Sequence, residues 1–342
     1  ASGPLLAAGT HPTTGEALAD DQIFTYVTGD EHTSVDPQIV EDTTGAAIVR
    51  DLFEGLYNQD SDGNLVPGVA LSHTTNADKT VYTFTLRDNA KWSDGKTVTA
   101  GDFEYAWKRL ADPETASPYQ WFMEVMNIKN AGGVMSGDMP VSELGVKALN
   151  DTTLEVTLAG SMSYFPLTTT HGSTYPSPQW VIEAHGTDWI KPENIVSNGA
   201  YVLTKHVPNE TLERERNPMY WNDAETIMEK VVIKIVNDEN VALTRYLAGE
   251  FDKTGVPTGQ FLKMQKQYPA EVYSNPKLCT YYYSLNMGEN GPEALKDKRV
   301  RQALSYAIDR DIIVENILQA GQFPAYTFTP GATAGFSVPE VA

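Results

Sequence analysis

Residues 80–110, TVYTFTLRDNAKWSDGKTVTAGDFEYAWKRL, decide the fold because they encode a strand, a turn and a helix in direct succession. In the strand, apolar and polar side chains alternate as they do when one face of a sheet is buried. The residues predicted to point inward are Tyr82, Phe84 and Leu86.

Asp94-Gly95 predicts a turn, since glycine readily adopts a positive φ. Thr99 and Asp102 resemble a capping box, with Asp in place of the usual Glu or Gln. The helix predicted behind them has apolar residues at i, i+3, i+4 and i+7, which are Phe103, Ala106, Trp107 and Leu110.

The same patterns continue on both sides of this segment. Further strands are predicted at 23–27, 153–158, 231–236 and 279–285, and further helices at 239–248 and 299–318. The strand at 231–236 is apolar almost throughout, as expected of a strand buried on both faces. Residues 58–63 resemble the opening of a calcium-binding EF-hand loop, but Val69 stands where the loop needs a bidentate Glu, so a polar hairpin turn is predicted instead. Strands and helices interleave without a strict βαβ rhythm, which indicates a mixed α/β architecture with more than one subdomain.

Composition excludes several classes of function. The chain has 342 residues with 25 Lys and Arg against 45 Asp and Glu, a net charge of −20, which disfavours binding to nucleic acid by charge alone. One cysteine, Cys279, excludes a zinc site built on several cysteines and a disulfide within this chain. No two of the 6 histidines lie within ten residues of each other, so no local metal-ligand motif is present. Nucleophile-elbow, phosphate-loop and zinc-protease motifs are absent as well.

Nine segments stand out by their order and spacing: 34–37 (SVDP), 50–56 (RDLFEGL), 82–109, 112–119 (DPETASPY), 144–148 (LGVKA), 198–201 (NGAY), 217–222 (NPMYWN), 278–283 (LCTYYY) and 309–313 (DRDII). Together they resemble the periplasmic oligopeptide-binding proteins of ABC importers, which belong to the extracytoplasmic solute-binding protein family 5. The resemblance runs from about residue 22 to 330. The LCTYYY segment is similar to the oligopeptide branch rather than to the dipeptide or nickel branches.

The resemblance implies a fold class: α/β, periplasmic-binding-protein-like, of the large three-domain type II class, with mixed sheets. Residues 1–53 and 178–278 are then expected to form a discontinuous domain I, 54–177 an inserted domain II, and 279–342 the start of domain III, whose remainder is expected to be absent, so that the second lobe is truncated. Cys279 is expected to form a disulfide with a cysteine outside this chain. The first residues lack an initiator Met and a basic region, so the chain is expected to be a mature, exported periplasmic form without its signal peptide.

The function that the resemblance implies is capture of oligopeptides through their backbone and delivery to the membrane permease of an ABC transporter. Glu41, Asp42 and Thr43 are expected on the strand that pairs with the ligand backbone, and Tyr119 and Tyr282 are expected to contact the ligand. No catalytic residue, metal or cofactor is expected. The expected partners are a peptide and the permease, with no nucleic acid, no membrane insertion and a monomeric state. By itself the chain is expected to bind peptide weakly or not at all.

Three departures from the family pattern leave the type of peptide open. By the resemblance, Lys277 stands where the best-known members have a pocket tyrosine, and Leu318 stands where they have a lysine that helps receive the peptide C-terminus. A pocket asparagine is missing around Gly255-Val256, with a one-residue deletion nearby. Recognition of a murein tripeptide or another non-standard peptide is therefore an alternative. A hydrolase is a weaker alternative, because it needs an activated nucleophile or a metal. A role in signalling alone is not distinguished from transport by sequence.

Overall fold

The computed structural model describes residues 10–11, 14–275, 277–331, 333 and 336–338. These residues fall into two compact units. Unit 1 runs to Asp238 and includes Arg245–Thr254, whereas unit 2 comprises Glu239–Thr244 and the chain from Gly255 onward.

The described residues form ten strands and eleven α-helices. The strands are β1 Ile23–Thr28, β2 Tyr57–Gln59, β3 Leu65–Pro67, β4 Ala70–Thr75, β5 Val81–Leu86, β6 Val146–Asn150, β7 Thr153–Thr157, β8 Tyr201–Val207, β9 Thr211–Arg216 and β10 Lys230–Ile235. The helices are α1 Thr43–Leu52, α2 Ala100–Ala111, α3 Phe122–Val125, α4 Ala131–Met135, α5 Phe165–Thr168, α6 Gln179–His185, α7 Glu239–Leu247, α8 Phe261–Gln267, α9 Glu293–Lys296, α10 Lys298–Tyr306 and α11 Arg310–Ile312. Short 3₁₀ turns lie at Pro113–Thr115, Val141–Glu143, Gly172–Thr174, Gly186–Ile190 and Asp223–Glu225, and a π-helical turn lies at Ile313–Leu318.

A mixed four-stranded sheet in unit 1 has the order β1-β10-β9-β8. β1 runs parallel to β10, with Tyr26 opposite Ile233, and the other neighbours are antiparallel. Val231, Val232 and Ile233 are buried in succession, which confirms that β10 is covered on both faces. The predicted first strand is confirmed as β1.

A second sheet in unit 1, β4-β5-β7-β6, is antiparallel throughout. Tyr82, Phe84 and Leu86 of β5 point into the core, as the alternation predicts. Helix α2 packs on β6 and β7. It begins with the predicted capping box, in which the Thr99 N–H donates to Asp102 Oδ2 at 2.8 Å. The apolar stripe of α2 is fully buried, so the sequence pattern and the packing agree.

A small hairpin, β2-β3, follows α1. Its turn is closed by Asp60, whose Oδ1 accepts from the N–H groups of Asp62 and Asn64 at 2.9 and 2.8 Å, and Gly63 has a positive φ of 82°. The polar hairpin turn predicted at residues 58–63 is confirmed.

Unit 2 contains α8 to α11. The predicted helix, break and second helix at 299–318 are confirmed, since Asp309 caps α11 through its Oδ1 and the N–H of Ile312 at 3.0 Å. The strand predicted at 279–285 is wrong. No described residue pairs with this segment, and a strand without a partner leaves its backbone groups to water. Tyr281 and Tyr283 are 87% and 77% exposed, and Cys279 is an exposed free thiol among the described residues.

The strands of the mixed sheet all come from 1–53 and 178–278, and those of the antiparallel sheet all come from 54–177. The division into three domains stays a prediction. None of the helices in the described part of the chain is long and apolar enough to cross a membrane.

Candidate functional site

Two buried polar side chains hold the segment that leads into α1 in place. The Asp36 carboxylate accepts hydrogen bonds from both terminal nitrogens of Arg109, at 2.8 and 2.6 Å, and from the indole N–H of Trp189 at 2.9 Å. The Gln38 amide donates to the carbonyl oxygens of Ser173 and Tyr175 at 3.2 and 3.1 Å. Because Asp36 and Gln38 are 4% and 0% exposed, these bonds fix the course of the chain at residues 36–40.

The start of α1 is determined by Asp42 and Gly45. Asp42 is the N-cap, and its Oδ1 accepts from the Gly45 N–H at 2.7 Å while Oδ2 accepts from the N–H and hydroxyl of Thr33 at 2.8 and 2.6 Å. Burial raises the pKa of the Asp42 carboxyl, but the hydrogen bonds from Gly45 and Thr33 outweigh it and leave the pKa below its usual range. A Cβ at Gly45 would lie 2.6 Å from the Ser34 carbonyl oxygen, so this close approach requires glycine.

The turn into α1 leaves backbone groups unpaired at the surface. Glu41 is exposed, and neither its N–H nor its C=O has a hydrogen-bond partner among the described residues. Asp42 has an extended backbone, with φ −100° and ψ 159°. Its N–H and that of Thr43 are likewise unpaired within the part of the chain described. These groups are available to hydrogen-bond an extended partner.

A depression of about 100 Å³ lies beside these groups. Its lining includes Glu41, Asp42, Thr43 and Tyr119, and it is completed by Val40, Ala46, Val49, Arg50, His171, Gly172 and Ser173. Four of the five predicted ligand-binding residues therefore line one concave surface of unit 1.

Aromatic rings form one wall of the depression. The Tyr119 and His171 ring centroids are 4.9 Å apart, and the Phe122 and His171 ring centroids are 4.5 Å apart. The Tyr119 N–H donates to Ser117 Oγ at 3.1 Å, and the Ser117 hydroxyl donates to the Gln38 carbonyl oxygen at 2.5 Å. Tyr119 is thus connected through Ser117 to the anchored segment, with its half-buried ring in the depression.

Arg50 connects this depression to a second cavity of about 290 Å³, because it lines both. Its guanidinium makes no hydrogen bond or ion pair with any described residue. Burial and the charge of Arg50 lower the pKa of His171, so His171 is neutral near pH 7. Arg50 is therefore a positive group at the junction of the two cavities, without a counter-ion in the part of the chain that the structure describes.

The second cavity is lined by a buried carboxylate, Glu54. Its Oε1 accepts from the Tyr220 hydroxyl at 2.6 Å and its Oε2 from the Trp221 indole N–H at 2.5 Å. Burial raises the pKa of the Glu54 carboxyl, and these hydrogen bonds only partly oppose the rise. Arg87 stacks on the Trp221 ring at 3.3 Å from its centroid. Both carboxylate oxygens of Glu54 are therefore hydrogen-bonded, and they stabilise this wall of the second cavity.

The structure bears on the predicted strand at residues 41–43 and on the position of Tyr282. Residues 41–43 were expected on a strand, and this is wrong, since Glu41 precedes α1, Asp42 caps it and Thr43 is its first residue. The Asp42 carboxylate draws the chain into helix instead of a ladder. Tyr282 lies in unit 2, where it is 58% exposed and its ring packs edge-on against Phe328 at 5.2 Å. A ligand role for Tyr282 stays a prediction.

Sequence reasoning missed Gln38, Arg50 and His171. Gln38 acts through partners more than 130 residues away, so no local pattern marks it. Arg50 sits in the RDLFEGL segment that carried the resemblance, but a helical Arg is ordinary on its own. The aromatic cluster at 119–122 was a usable signal for the wall that contains His171.

Comparison with known proteins decides the family. The family model for bacterial extracellular solute-binding proteins, family 5, matches residues 64–341. The chain belongs to this family. The family comprises solute-binding proteins rather than enzymes.

Several relatives are closely similar along the chain. The periplasmic oligopeptide-binding protein OppA of Salmonella typhimurium is 44% identical over 328 residues, which cover 95% of this chain and 60% of the relative. The structure of the Escherichia coli murein tripeptide binding protein MppA aligns with a TM-score of 0.90 at 42% identity, over 95% of this chain and 63% of that one. Haemophilus influenzae OppA in complex with RPPGFSPFR aligns with a TM-score of 0.87 at 40% identity, over 92% of this chain and 61% of that one. The chain therefore spans about 60% of the length of these relatives.

Proposed function

We propose that this chain belongs to an extracytoplasmic receptor that captures oligopeptides through their backbone and delivers them to the permease of an ABC transporter. The observation that carries the proposal is the extended backbone of Asp42 beside the Tyr119 depression, together with the N–H groups of residues 41–43 and the C=O of Glu41, which have no partner among the described residues. Relatives named for binding oligopeptides and murein peptides support it. The working protein is a periplasmic monomer of three domains, in which Tyr282 supplies a second ring to the ligand.

Backbone capture follows from the chemistry of the groups present. An extended peptide presents alternating N–H and C=O groups, which match the free N–H groups of residues 41–43 and the free C=O of Glu41. The Tyr119 ring offers an apolar face that accepts different side chains. Arg50, which has no counter-ion among the described residues, attracts a carboxylate of the bound peptide. Recognition of this kind tolerates varied side chains, because the specific bonds are made to atoms that every peptide shares.

The test separates backbone from side-chain recognition. The chain is titrated with three tripeptides of unlike side chains and with one of them N-methylated at its central amide, and NMR chemical shifts detect binding at millimolar peptide. We expect similar affinities for the unmodified peptides and a loss of at least tenfold on N-methylation, because that change removes one shared donor and adds a clash. If side-chain changes alter affinity more than N-methylation does, backbone capture is wrong.

A matched pair of variants locates the site. Tyr119→Ala removes the ring that lines the depression and is expected to weaken binding severalfold. Tyr164→Ala removes a tyrosine that is 61% exposed and lines neither cavity, so it serves as the control. Equal losses in both variants would place the peptide elsewhere.

A murein tripeptide is the alternative ligand. The similarity to MppA and the presence of Lys277 and Leu318 in place of two family residues favour including it. Lys277 is exposed. Adding murein tripeptide to the same panel decides between the ligands, since preference over ordinary tripeptides by tenfold or more would reassign the substrate.

The depression contains a Ser–His contact, but the geometry of this contact argues against a hydrolase. Ser173 Oγ lies 2.8 Å from His171 Nδ1, but Ser173 is 2% exposed and its own N–H also donates to that nitrogen, at 3.3 Å. The pair therefore closes a 3₁₀ turn instead of presenting a nucleophile. Peptide recovered intact by mass spectrometry after incubation is the expected result.

A further inference from the structure

We propose that Glu31, His32 and His206 form a binding site for a divalent transition-metal ion such as Zn²⁺. One donor atom from each of the three residues lies within 4.8 Å of the other two. The site is in unit 1 and shares no residue with the depression or the second cavity. It is independent of the proposed function.

Two distant parts of the sequence meet to form the cluster. Glu31 and His32 lie just after β1, and His206 lies near the end of β8, at the other edge of the mixed sheet's strand order. His206 Nε2 is 3.3 Å from Glu31 Oε1, and His32 Nδ1 is 2.6 Å from the same oxygen. The imidazole centroids are 4.8 Å apart, so both rings converge on one carboxylate oxygen.

The carboxylate is held in place from its far side. Glu31 Oε2 accepts from the Asn209 N–H at 2.5 Å. Asn209 has a positive φ of 57°, in the tight turn between β8 and β9, which aims this N–H at Glu31. A fixed second oxygen of this kind orients a ligating carboxylate, because hydrogen bonds to the oxygen that does not bind the metal set the direction of the one that does.

The donors select a class of ion. Two imidazole nitrogens and one carboxylate oxygen form the set that catalytic zinc sites use, with a fourth position left for water. Calcium and magnesium prefer all-oxygen shells, so they are poor candidates here. In a tetrahedral zinc site the donor atoms are about 3.3 Å apart, given metal–ligand bonds of about 2.0–2.1 Å. The two histidine-to-Glu31 separations are 2.6 and 3.3 Å, and all three donor atoms lie within 4.8 Å of one another, so small rotations of the side chains suffice.

Exposure is compatible with metal uptake. The side chains of Glu31 and His206 are 23% and 27% exposed, which leaves one side open to solvent, while His32 is 6% exposed and provides a fixed base. An ordinary hydrogen-bonded acid–imidazole pair would need only one histidine. The second imidazole on the same oxygen is the feature that points to a metal ion.

The test uses the untagged chain, stripped with chelator and titrated with Zn²⁺ against a chromophoric competitor. We expect one ion per chain, and at least tenfold weaker binding in His206→Gln and in His32→Gln, because even outer-shell changes cost 10–100-fold in affinity. His185→Gln is the matched control, since His185 is exposed and outside the cluster. It should bind as the unaltered chain does, and Ca²⁺ should not compete.

Three results would overturn the proposal: no stoichiometric Zn²⁺ binding, equal loss in His185→Gln, or displacement of Zn²⁺ by Ca²⁺. Circular dichroism of the metal-free variants checks that they fold. If they do not, Co²⁺ bound to the unaltered chain decides. The intense visible bands of a four-coordinate ion support the site, and the weak bands of a six-coordinate aquo ion refute it.

Discussion

Replacing Arg109 with Met should strongly destabilise unit 1. The substitution keeps an unbranched side chain but removes both bonds to Asp36 and the 2.9 Å bond to Gln38 Oε1. Asp36, at 4% exposure, keeps the Trp189 indole N–H and the Gln38 N–H as donors but loses its counter-ion. Breaking a buried pair by removing one partner costs about 3–5 kcal/mol.

Urea unfolding, followed by tryptophan fluorescence, measures this cost. Trp92, Trp107 and Trp189 are fully buried in unit 1, so their emission reports its unfolding. With a slope of about 3 kcal/mol per molar urea, a loss of about 3–5 kcal/mol lowers the midpoint by about 1–2 M. Lys191→Met is the control, because Lys191 pairs with Asp188 at 2.8 Å on the surface and its loss should leave the midpoint unchanged within error. Equal midpoints for Arg109→Met and Lys191→Met would refute the claim that the buried pair fastens the site.

Two further predictions concern the start of α1. Gly45→Ala places a Cβ 2.6 Å from both the Ser34 carbonyl oxygen and Val40 Cγ2 and should cost about 1–3 kcal/mol in urea unfolding, whereas Gly29→Ala, with no atom within 4 Å, should change stability by less than about 0.5 kcal/mol. Asp42→Ala should cost about 1 kcal/mol at pH 7. Because the pKa of Asp42 is lower in the folded than in the unfolded chain, its contribution is complete above the unfolded value of about 3.9 and is lost as the pH falls through the folded value. The difference between the two proteins should therefore shrink in strong acid, and a difference that grows as the pH falls would contradict this account.

Local patterns predicted most of unit 1 because its elements obey local rules. The alternation in β5, the capping box of α2 and the apolar run of β10 each agree with their burial in the structure. The failure at residues 279–285 has a physical reason as well. Aromatic and β-branched content favours a strand only where a partner strand exists, and none is found among the described residues.

The candidate site was predictable only in part. Resemblance to a family identified residues 41–43 and Tyr119, and the structure gathers them around one depression. Contacts that join distant segments were beyond reach, because no local spacing encodes them. Gln38 bonds residues 135 and 137 positions away, and His206 meets Glu31 across 175 positions.

The buried side chains of Asp36 and Gln38 fix the position of the unpaired backbone groups at residues 41–43. An exposed turn with unpaired N–H and C=O groups is normally mobile, so a ligand would have to order it on binding, at a cost of about 1–2 kcal/mol per residue. Here Asp36 and Gln38 hold the chain from below and Asp42 holds it from the side, so the ordering is completed during folding. Under the proposed function, a peptide would meet donors already in place, which would raise affinity without any additional contact. Arg109→Met weakens the attachment of Asp36 without changing a residue that lines the depression. It should therefore weaken peptide binding even at urea concentrations where the protein remains folded. Unchanged peptide affinity in a folded Arg109→Met protein would separate the anchors from the site.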